Sequence, residues 1–263
     1  MASSVANILV ILPTLGDRLD SLEETLACVE EQRSSVSLRL VVIAPVTAVA
    51  ARELARTHGA TIVDDPGTGI SEAINMGIAS RDGEEYYAWI GDDDLFRPGG
   101  LAALKSLLDD DARAVVAYGG CDYIDVAGNI LGRSRAGKMA QVILSWGPDL
   151  IPHPGSMIRL DDLEAVGCFD TSLKYAMDLD LFLRLRARGR FVFTTDAVSA
   201  FRWHPDSLTV ASRQNSSRES EAVKARYRHP WLGSVSFVWV LPVRWASSFA
   251  ARSVSKRARS FLR

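Results

Sequence analysis

Tyr86-Tyr-Ala-Trp-Ile-Gly-Asp-Asp-Asp94 organises the rest of the chain. Its aromatic and apolar half predicts a buried strand, which runs directly into Gly91 and three aspartates. In open α/β sheets, ligands bind beyond the carboxyl ends of the strands. Adjacent carboxylates there repel one another and favour a hard divalent cation, which is often shared with substrate phosphates. We therefore predict a metal and phosphate site at Asp92–Asp94, and the alternative is a helix-capping turn.

A second Asp-Asp-Asp triplet, Asp109–Asp111, provides an internal control for this prediction. It follows leucines at helical spacing and not a strand, so it is expected to be a solvated turn at the end of a helix. Three aspartates alone therefore indicate little, and the position after a buried strand carries the signal.

The segments before residue 91 alternate between strand and helix patterns, which predicts a parallel sheet with helices on both faces. Right-handed crossovers bring the carboxyl ends of its strands to one edge. Strands are predicted at 7–13, 38–43, 60–63 and 86–90, and helices at 17–32, 47–58 and 70–80. Later strands are predicted at 114–118, 157–160, 191–194 and 198–203, and a hairpin at 121–125 and 130–132. Later helices are predicted at 137–146, 161–166 and 178–188, and another begins at 95–100. A polar loop or lid is predicted at 207–220.

The composition indicates one large globular domain followed by a basic tail. The chain has 263 residues, of which 48% are hydrophobic. Residues 222–263 contain nine Lys or Arg and no acidic residue, which leaves the first 221 residues with a net charge of −11 against −2 for the whole chain. We predict a domain at 1–221 and a tail at 222–263.

Cysteines and apolar runs bear on where the protein acts. The three cysteines lie far apart, which argues against a disulfide framework or a zinc site and is typical of a reducing cytoplasm. The N-terminus lacks the basic segment of a signal peptide, and no apolar run is long enough for a membrane span. We therefore expect a cytoplasmic protein.

The tail has the pattern of an interfacial helix. Its apolar stretch, 231–243, is short and contains Pro242. One helical face beyond it is basic, with Arg252, Lys256, Arg259 and Arg263. A basic amphipathic helix beside tryptophans is expected to bind an anionic membrane surface. The alternative is a C-terminal helix that docks on the body or on a second subunit.

A dinucleotide-binding site is disfavoured. Gly67 and Gly69 suggest a glycine-rich phosphate loop, but its third glycine would fall at Glu72. The first strand–helix turn, Pro13–Asp17, also lacks the fingerprint.

Several motifs, in their order and spacing from about Asn7 to about Leu208, resemble family 2 glycosyltransferases of the GT-A type. They are Ile11-Leu-Pro-Thr-Leu-Gly-Asp-Arg18, Gly69-Ile-Ser-Glu-Ala-Ile-Asn-Met-Gly77, Asp92-Asp-Asp94 before Pro98-Gly99, His153-Pro-Gly-Ser156, Val166-Gly-Cys-Phe-Asp170, Asp178-Leu-Asp-Leu-Phe-Leu-Arg184 and His204-Pro-Asp-Ser207. The resemblance implies a GT-A fold, a nucleoside diphosphate sugar donor, Mn²⁺ or Mg²⁺, and inversion at the anomeric carbon.

The resemblance also implies roles for the aspartates. Asp93 corresponds to the metal ligand, Asp92 lies near the ribose, and Asp94 supports the site. Asp178 corresponds to the catalytic base, which takes the proton from the acceptor hydroxyl. Its alternative is a favourable charge at a helix start. Asp180 is the rival base, although two residues along a helix it points to a different side.

Other residues are expected around the nucleotide. His204 matches a position near the metal or diphosphate, or else it stabilises the turn before Pro205, and His153 is a weaker candidate of the same kind. The loops and helix starts expected to surround the donor contribute Pro13, Thr14, Arg18, Asp65 and Asn75.

Two departures from the family leave alternatives open. The second strand runs into Ala44-Pro-Val-Thr47, where relatives carry a carboxylate that contacts the base, and Asp65 is a possible substitute. Met76 replaces a frequent lysine. A sugar-nucleotide pyrophosphorylase would need a glycine-rich, arginine-bearing first loop, but Pro13–Arg18 contains only Gly16. A catalytically silent nucleotide-sugar-binding module is the other alternative.

The combined prediction is a metal-dependent inverting glycosyltransferase. It would act on a hydroxyl of a glycan or glycolipid precursor at the cytoplasmic face of a membrane. No nucleic-acid partner is expected, and an oligomer is possible.

Overall fold

A computed structural model, which describes residues 6–134, 137–203 and 213–227, begins with the predicted alternation of strands and helices. The elements are β1 (Ile8–Pro13), α1 (Leu19–Gln32), β2 (Leu38–Ala44), α2 (Val49–Thr57), β3 (Thr61–Asp64), α3 (Ile70–Ala79) and β4 (Tyr86–Trp89). β1 pairs in parallel with both β2 and β4, and β2 pairs in parallel with β3. The predicted parallel half of the sheet is confirmed, with its carboxyl ends at one edge.

The second half of the chain extends the same sheet with mixed pairing. Its elements are β5 (Leu95–Phe96), α4 (Gly100–Asp110), β6 (Ala114–Ile124), β7 (Ile130–Ser134), α5 (Lys138–Ile143), a 3₁₀ turn (His153–Gly155), β8 (Ser156–Arg159), α6 (Leu160–Ala165), α7 (Met177–Leu185), β9 (Arg190–Arg202) and α8 (Arg213–Tyr227). The strand order is β3-β2-β1-β4-β8-β6-β9-β5, and β7 pairs with β6. β8 is antiparallel to both β4 and β6.

The central strands are buried on both faces. Ile8, Val10 and Leu12 pack into one apolar core, whereas Leu9 and Ile11 pack into another on the opposite side of the sheet. All five are fully buried. A strand with two covered faces has no solvent side, which explains the continuous apolar run in this part of the sequence.

Two predicted pairs of strands are each one long strand, so this part of the prediction was wrong. β6 covers 114–118 and most of 121–125, and β9 covers 191–194 and most of 198–203. Gly119 and Gly120 interrupt the apolar pattern, but a Cβ at Gly119 would lie 2.6 Å from a methyl group of Val198. The glycines therefore permit close strand packing and do not end the strand.

The predicted helix opening at 95–100 was also wrong in its first residues. Leu95–Phe96 forms β5, which pairs antiparallel with β9, and α4 begins only at Gly100. A Cβ at Gly100 would lie 2.3 Å from the carbonyl oxygen of Val198. Glycine is therefore required where the start of α4 meets the backbone of β9.

The predicted polar loop or lid at 207–220 is helical from residue 213 onward, because α8 covers that part. Its polar composition hides the helix in the sequence, but Val223 is fully buried and joins the main core. Tertiary contacts therefore hold a helix that has little apolar pattern of its own. The predicted boundary between 221 and 222 falls inside this helix, and residues 228–263, with the predicted amphipathic segment, lie outside the described part of the chain.

Within the described residues, the helices are too short or too polar to cross a membrane.

Candidate active site

The first and fourth strands bring two of the predicted donor-binding residues together. β1 and β4 lie side by side, with Ile11 opposite Trp89, so the residues that follow each strand meet at the carboxyl edge. The Thr14 hydroxyl donates a hydrogen bond of 2.6 Å to Asp92 Oδ2. Thr14 also accepts a bond of 3.0 Å from the backbone N–H of Gly16, which fixes its hydroxyl.

Arg18 completes this group from the start of α1. Its Nη1 lies 2.6 Å from Asp93 Oδ2 and 3.7 Å from Asp92 Oδ1. The two aspartate side chains are mostly buried, whereas that of Arg18 is 40% exposed. The structure therefore gathers Thr14, Arg18, Asp92 and Asp93, which the sequence places up to 79 positions apart.

The negative charges of Asp92 and Asp93 lie close together in a mostly buried position, which disfavours ionisation of Asp92. Burial raises the pKa of Asp92, the hydrogen bond from Thr14 opposes the increase, and the charge of Asp93 adds to it. Carboxylates in such a position are stabilised by a cation that approaches from the open side. Arg18 supplies part of that positive charge in this structure.

Asp94 lies beneath the turn and not at its open side. It is 3% exposed, and its Oδ1 accepts a hydrogen bond of 3.0 Å from the backbone N–H of Arg202. Its carbonyl oxygen accepts a bond of 2.9 Å from the Thr25 hydroxyl. Burial, and then the charge of Asp93, raise the pKa of Asp94 well above its usual range. Its contacts are those of a residue that supports the turn.

Arg202, at the end of β9, stabilises the turn that carries Asp92–Asp94, and this role was not predicted from the sequence. Its Nε donates a bond of 3.0 Å to the carbonyl oxygen of Asp93, and its Nη2 lies 2.5 Å from Glu24 Oε2. Its Nη1 donates to the carbonyl oxygen of Val126 at 2.8 Å. The only signal in the sequence was an arginine in a strand pattern, just before the His204 motif.

Asp178 lies in the first turn of α7, and an aromatic cluster connects that helix to β4. Phe182, one turn further along the same face, packs edge-on against His153 with ring centroids 5.9 Å apart. His153 packs against Trp89, with centroids 4.5 Å apart. Trp89 is the last residue of β4, three positions before Asp92. The cluster therefore joins the helix of the predicted base to the strand that carries the predicted metal ligand.

Asp178 is partly buried beside two acidic residues, Glu219 and Asp149, that were not predicted from the sequence. Burial raises the pKa of Asp178, a hydrogen bond from the backbone N–H of Leu179 opposes this, and the charge of Glu219 adds to it. Burial and the charge of Asp178 raise the pKa of Asp149 well above its usual range. Asp149 Oδ2 has no hydrogen-bond partner among the described residues. Asp149 therefore retains a proton more readily than an exposed aspartate, which leaves Asp178 as the better base of the two.

Asp180, the rival base, is buried and both of its carboxylate oxygens accept hydrogen bonds from other side chains. Its side chain is 3% exposed, Oδ2 accepts a hydrogen bond of 2.8 Å from Arg184, and Oδ1 accepts one of 2.9 Å from the Tyr227 hydroxyl. These partners come from α7 itself and from α8, so the carboxylate links the two helices. The contacts favour Asp178 over Asp180 as the base.

His153 is a neutral residue of the aromatic cluster. It is 5% exposed, and burial lowers its pKa to about 3. Neither ring nitrogen has a hydrogen-bond partner in the described part of the chain. A neutral ring cannot form an ion pair with phosphate, so the cationic role considered for His153 is not supported, because burial removes its charge.

Of the remaining predicted donor residues, Pro13 and Asp65 lie at or just after a strand end as expected, whereas Asn75 lies in the middle of α3 and not at a helix start. Pro13 ends β1, and Asp65 Oδ1 accepts a hydrogen bond of 2.8 Å from the backbone N–H of Gly67. The Asn75 side chain makes two hydrogen bonds to the backbone of Phe169, at 2.9 and 3.0 Å. Asn75 thus braces the loop before α7. The predicted donor contact of Asn75 remains untested.

The described residues fit part of a metal site. No three His, Cys, Asp or Glu side chains among them are grouped as a complete set of metal ligands. Asp92 and Asp93 nevertheless present hard oxygen donors side by side, which suits a cation held by one or two carboxylates together with substrate phosphates and water. His204, the tentative further ligand, lies outside the described residues.

The relatives that comparison with known proteins finds are named as glycosyltransferases. No protein-family model matches the chain. It is 28% identical over 162 residues to an uncharacterized glycosyltransferase of Rickettsia typhi, which covers 59% of this chain and 50% of the relative. It is 26% identical over 148 residues to an uncharacterized glycosyltransferase of Rickettsia prowazekii, which covers 54% of this chain and 46% of the relative. The matches thus span about half the length of these two relatives.

Solved structures share the fold. A mannosyltransferase of Pyrobaculum calidifontis, in complex with GDP-Man and Mn²⁺, has a TM-score of 0.66 and 20% identity, over 95% of this chain and 76% of that one. S. aureus TarS 1–349, in complex with UDP-GlcNAc, has a TM-score of 0.59 and 16% identity, over 75% of this chain and 59% of that one. The relatives carry the name of glycosyltransferases and the solved structures share the fold, which agrees with the resemblance to family 2 glycosyltransferases of the GT-A type.

Proposed function

We propose that this chain transfers a sugar, with inversion, from a nucleoside diphosphate sugar to a hydroxyl of a glycan or glycolipid precursor, and that transfer depends on a divalent cation. The observation that carries the proposal is the group of Thr14, Arg18, Asp92 and Asp93 at the carboxyl edge of β1 and β4. Open α/β sheets bind ligands at such an edge. The nucleotide-sugar complexes of the two structural neighbours support the same donor class.

The donor side of the site would bind and orient the diphosphate. Asp93, with Asp92 beside it, would hold Mn²⁺ or Mg²⁺, which supplies positive charge that stabilises the nucleoside diphosphate as it leaves. Arg18 lies close enough to add a second positive charge at the same place. Thr14 and Arg202 fix the side chain of Asp92 and the backbone of Asp93 before the substrate binds, so little reorganisation is needed.

The base side of the site would activate the acceptor. Asp178 would accept the proton of the acceptor hydroxyl as its oxygen attacks the anomeric carbon from the face opposite the leaving diphosphate. Asp149, with its proton retained, would donate a hydrogen bond to the acceptor or to Asp178. Only one of the two carboxyls then needs to be ionised at neutral pH.

The experiment is a screen of nucleoside diphosphate sugars for release of nucleoside diphosphate, with water as the acceptor when no glycan is supplied. Asp178→Asn should lower release from the best donor by about 10²- to 10⁴-fold, the usual contribution of a general base. Asp161→Asn is the matched control, since its side chain is 87% exposed on α6, and it should match the wild type. Wild-type release by Asp178→Asn would reject Asp178 as the base.

We further propose that the tail beyond residue 228 holds the enzyme at the cytoplasmic face of an anionic membrane. The support is the basic face of Arg252, Lys256, Arg259 and Arg263. Replacement of these four residues by glutamine in the full chain should weaken sedimentation with vesicles that contain phosphatidylglycerol. Equal sedimentation of the two chains would reject a membrane role, and a change in oligomeric state would indicate a second subunit as the partner.

A further inference from the structure

The start of α7 is held by a carboxylate from another helix. Glu219 Oε1, on α8, accepts hydrogen bonds from three consecutive backbone N–H groups, those of Lys174 at 3.0 Å, Tyr175 at 2.5 Å and Ala176 at 2.7 Å. These groups immediately precede α7, whose first residue is Met177. A carboxylate 43 positions away in the sequence therefore caps the helix that carries Asp178.

The N-cap residue of α7 offers no side-chain acceptor, although Asp178 Oδ1 accepts a hydrogen bond of 2.8 Å from the backbone N–H of Leu179 inside the first turn. The N-cap position is Ala176, whose side chain has no hydrogen-bonding group. The first N–H groups of a helix need acceptors from outside the helix, and the helix dipole favours negative charge there. Glu219 supplies an acceptor for the N–H of the N-cap residue Ala176, and it places a negative charge at the start of the helix.

Two more contacts set the position of α8 on α7. The Tyr227 hydroxyl donates to Asp180 Oδ1 at 2.9 Å, and Arg226 Nη1 lies 3.1 Å from Asp170 Oδ2 in the loop before α7. Val223, fully buried, packs into the core between these polar contacts. Glu219 therefore lies on a helix that is anchored along its length, so its carboxylate is held in place and does not depend on a flexible side chain alone.

We propose that Glu219 is a positioning residue for the transfer reaction: by capping the start of α7 it holds Asp178 in the orientation that the acceptor hydroxyl requires. This inference rests on the proposed role of Asp178 as the base. Asp178 is the second residue of α7, so unwinding of the first turn would move its carboxylate directly. Misplacement of a catalytic group by about 1 Å can lower the rate by about 10²-fold.

The test separates the hydrogen bonds of Glu219 from its charge. Glu219→Gln keeps an oxygen that can accept from the three amides, whereas Glu219→Ala removes it. Glu219→Ala should lower kcat for donor hydrolysis about 10- to 100-fold and leave the KM for the donor within about twofold. Glu219→Gln should keep kcat within about threefold of the wild type. Gln214→Ala is the control on the same helix, since Gln214 is exposed, and it should leave both constants unchanged.

The pH profile provides a readout that a merely structural role would not change. The charged and titratable groups that act on Asp178 or its neighbour Asp149 are Glu219 and Lys224 from α8, Asp149 itself from the loop before β8, Tyr87 from β4 and Tyr123 from β6. Because the negative charge of Glu219 favours protonation of Asp178, Glu219→Gln should move the acidic limb of the kcat profile to lower pH. Asp161→Asn, which removes an exposed charge on α6, should leave that limb in place.

Hydrogen exchange distinguishes failure of this inference from failure of the proposed base. Amides of the peptide 174–176 should exchange faster in Glu219→Ala than in the wild type, and Glu219→Gln should restore slow exchange. Wild-type kcat in Glu219→Ala, or unchanged exchange, would overturn the positioning role even if Asp178→Asn is inactive. If Asp178→Asn is active while exchange accelerates as expected, the cap is correct but the base assignment is wrong, and the catalytic part of the inference is wrong with it.

Discussion

Asp92–Asp94 and Asp109–Asp111 have the same three residues in very different surroundings. The first triplet follows β4 at the carboxyl edge of the sheet, where Thr14, Arg18 and Arg202 contact it. The second ends α4, and its Asp109 side chain is 44% exposed and pairs with Lys105 and Tyr86. Contacts from distant parts of the chain therefore distinguish a candidate site from a helix end.

The two triplets also differ in how their charges are stabilised. For Asp92, burial raises the pKa and the charge of Asp93 adds to it. For Asp109, burial opposes ionisation, but hydrogen bonds from Lys105 and Tyr86 outweigh it and lower the pKa. An added cation would therefore stabilise the first triplet, whereas Asp109 in the second triplet already has a cationic partner in Lys105.

The largest expected difference between the triplets is in catalysis. Asp93→Asn should lower release of nucleoside diphosphate by at least about 10²-fold, because it removes a charge that would hold the cation at the leaving group. Asp110→Asn, at an exposed position of the second triplet, should leave release unchanged. Steady-state rates at saturating donor provide the measurement, and equal rates in the two variants would remove the distinction between the triplets.

Arg202 contacts the first triplet and Arg190 the second, and we expect their loss to lower the free energy of unfolding by different amounts. Arg202→Met should lower the free energy of unfolding by about 2–4 kcal/mol, because it leaves the carbonyl oxygens of Asp93 and Val126 without their donor and removes the ion pair with Glu24. Arg190, which lies 3.8 Å from Asp111 and is 59% exposed, is the matched control. Arg190→Met should cost less than about 1 kcal/mol. Urea unfolding measures both, and similar losses would mean that Arg202 is an ordinary surface partner.

A smaller effect is expected from the hydroxyl that orients Asp92. Thr14→Val keeps the shape of the side chain but removes the hydrogen bond of 2.6 Å to Asp92, worth about 1 kcal/mol, or about fivefold in affinity for nucleoside diphosphate. Thr57→Val is the control, since Thr57 bonds only locally to the carbonyl of Leu54 at the end of α2. Titration calorimetry should show weaker binding for the first variant, and unchanged affinity would mean that Asp92 does not need Thr14.

The smallest effect concerns pH and the second triplet. Because the pKa of Asp109 is lowered in the folded protein, its ionised form stabilises the fold fully above the unfolded value of about 3.9, and this contribution is lost as the pH falls through the lower folded pKa. Asp109→Asn should therefore cost about 0.5 kcal/mol at pH 7 and less near pH 3. Unfolding curves at the two pH values provide the measurement, and an equal cost at both would contradict the ionic contribution.

The donor half of the site was largely predictable from the sequence because its signals are local. A buried strand followed by aspartates, together with predicted strands that end at Pro13 and Ile43, already placed Thr14 and Asp92 at one edge. Parallel strands bring such residues together by geometry alone. The fold class was predictable for the same reason.

The base half was only partly predictable because its signals are not local. Asp178 could be found through the family motif. Its acidic neighbours could not, because Asp149 lies 29 positions earlier in a proline-rich loop and Glu219 lies 41 positions later in a polar helix. Neither segment has a pattern that indicates what it packs against. Arg202 was missed for a similar reason, because an arginine at a strand end is usually solvated.

Titration of a nucleoside diphosphate into the wild type, Asp93→Asn and Asp110→Asn, each with and without Mn²⁺, tests the role of the first triplet most directly. The predicted result is that Mn²⁺ strengthens binding in the wild type and in Asp110→Asn but not in Asp93→Asn. Binding that is equally strong in all three proteins, or that does not respond to Mn²⁺ in the wild type, would contradict a cation site at the end of β4.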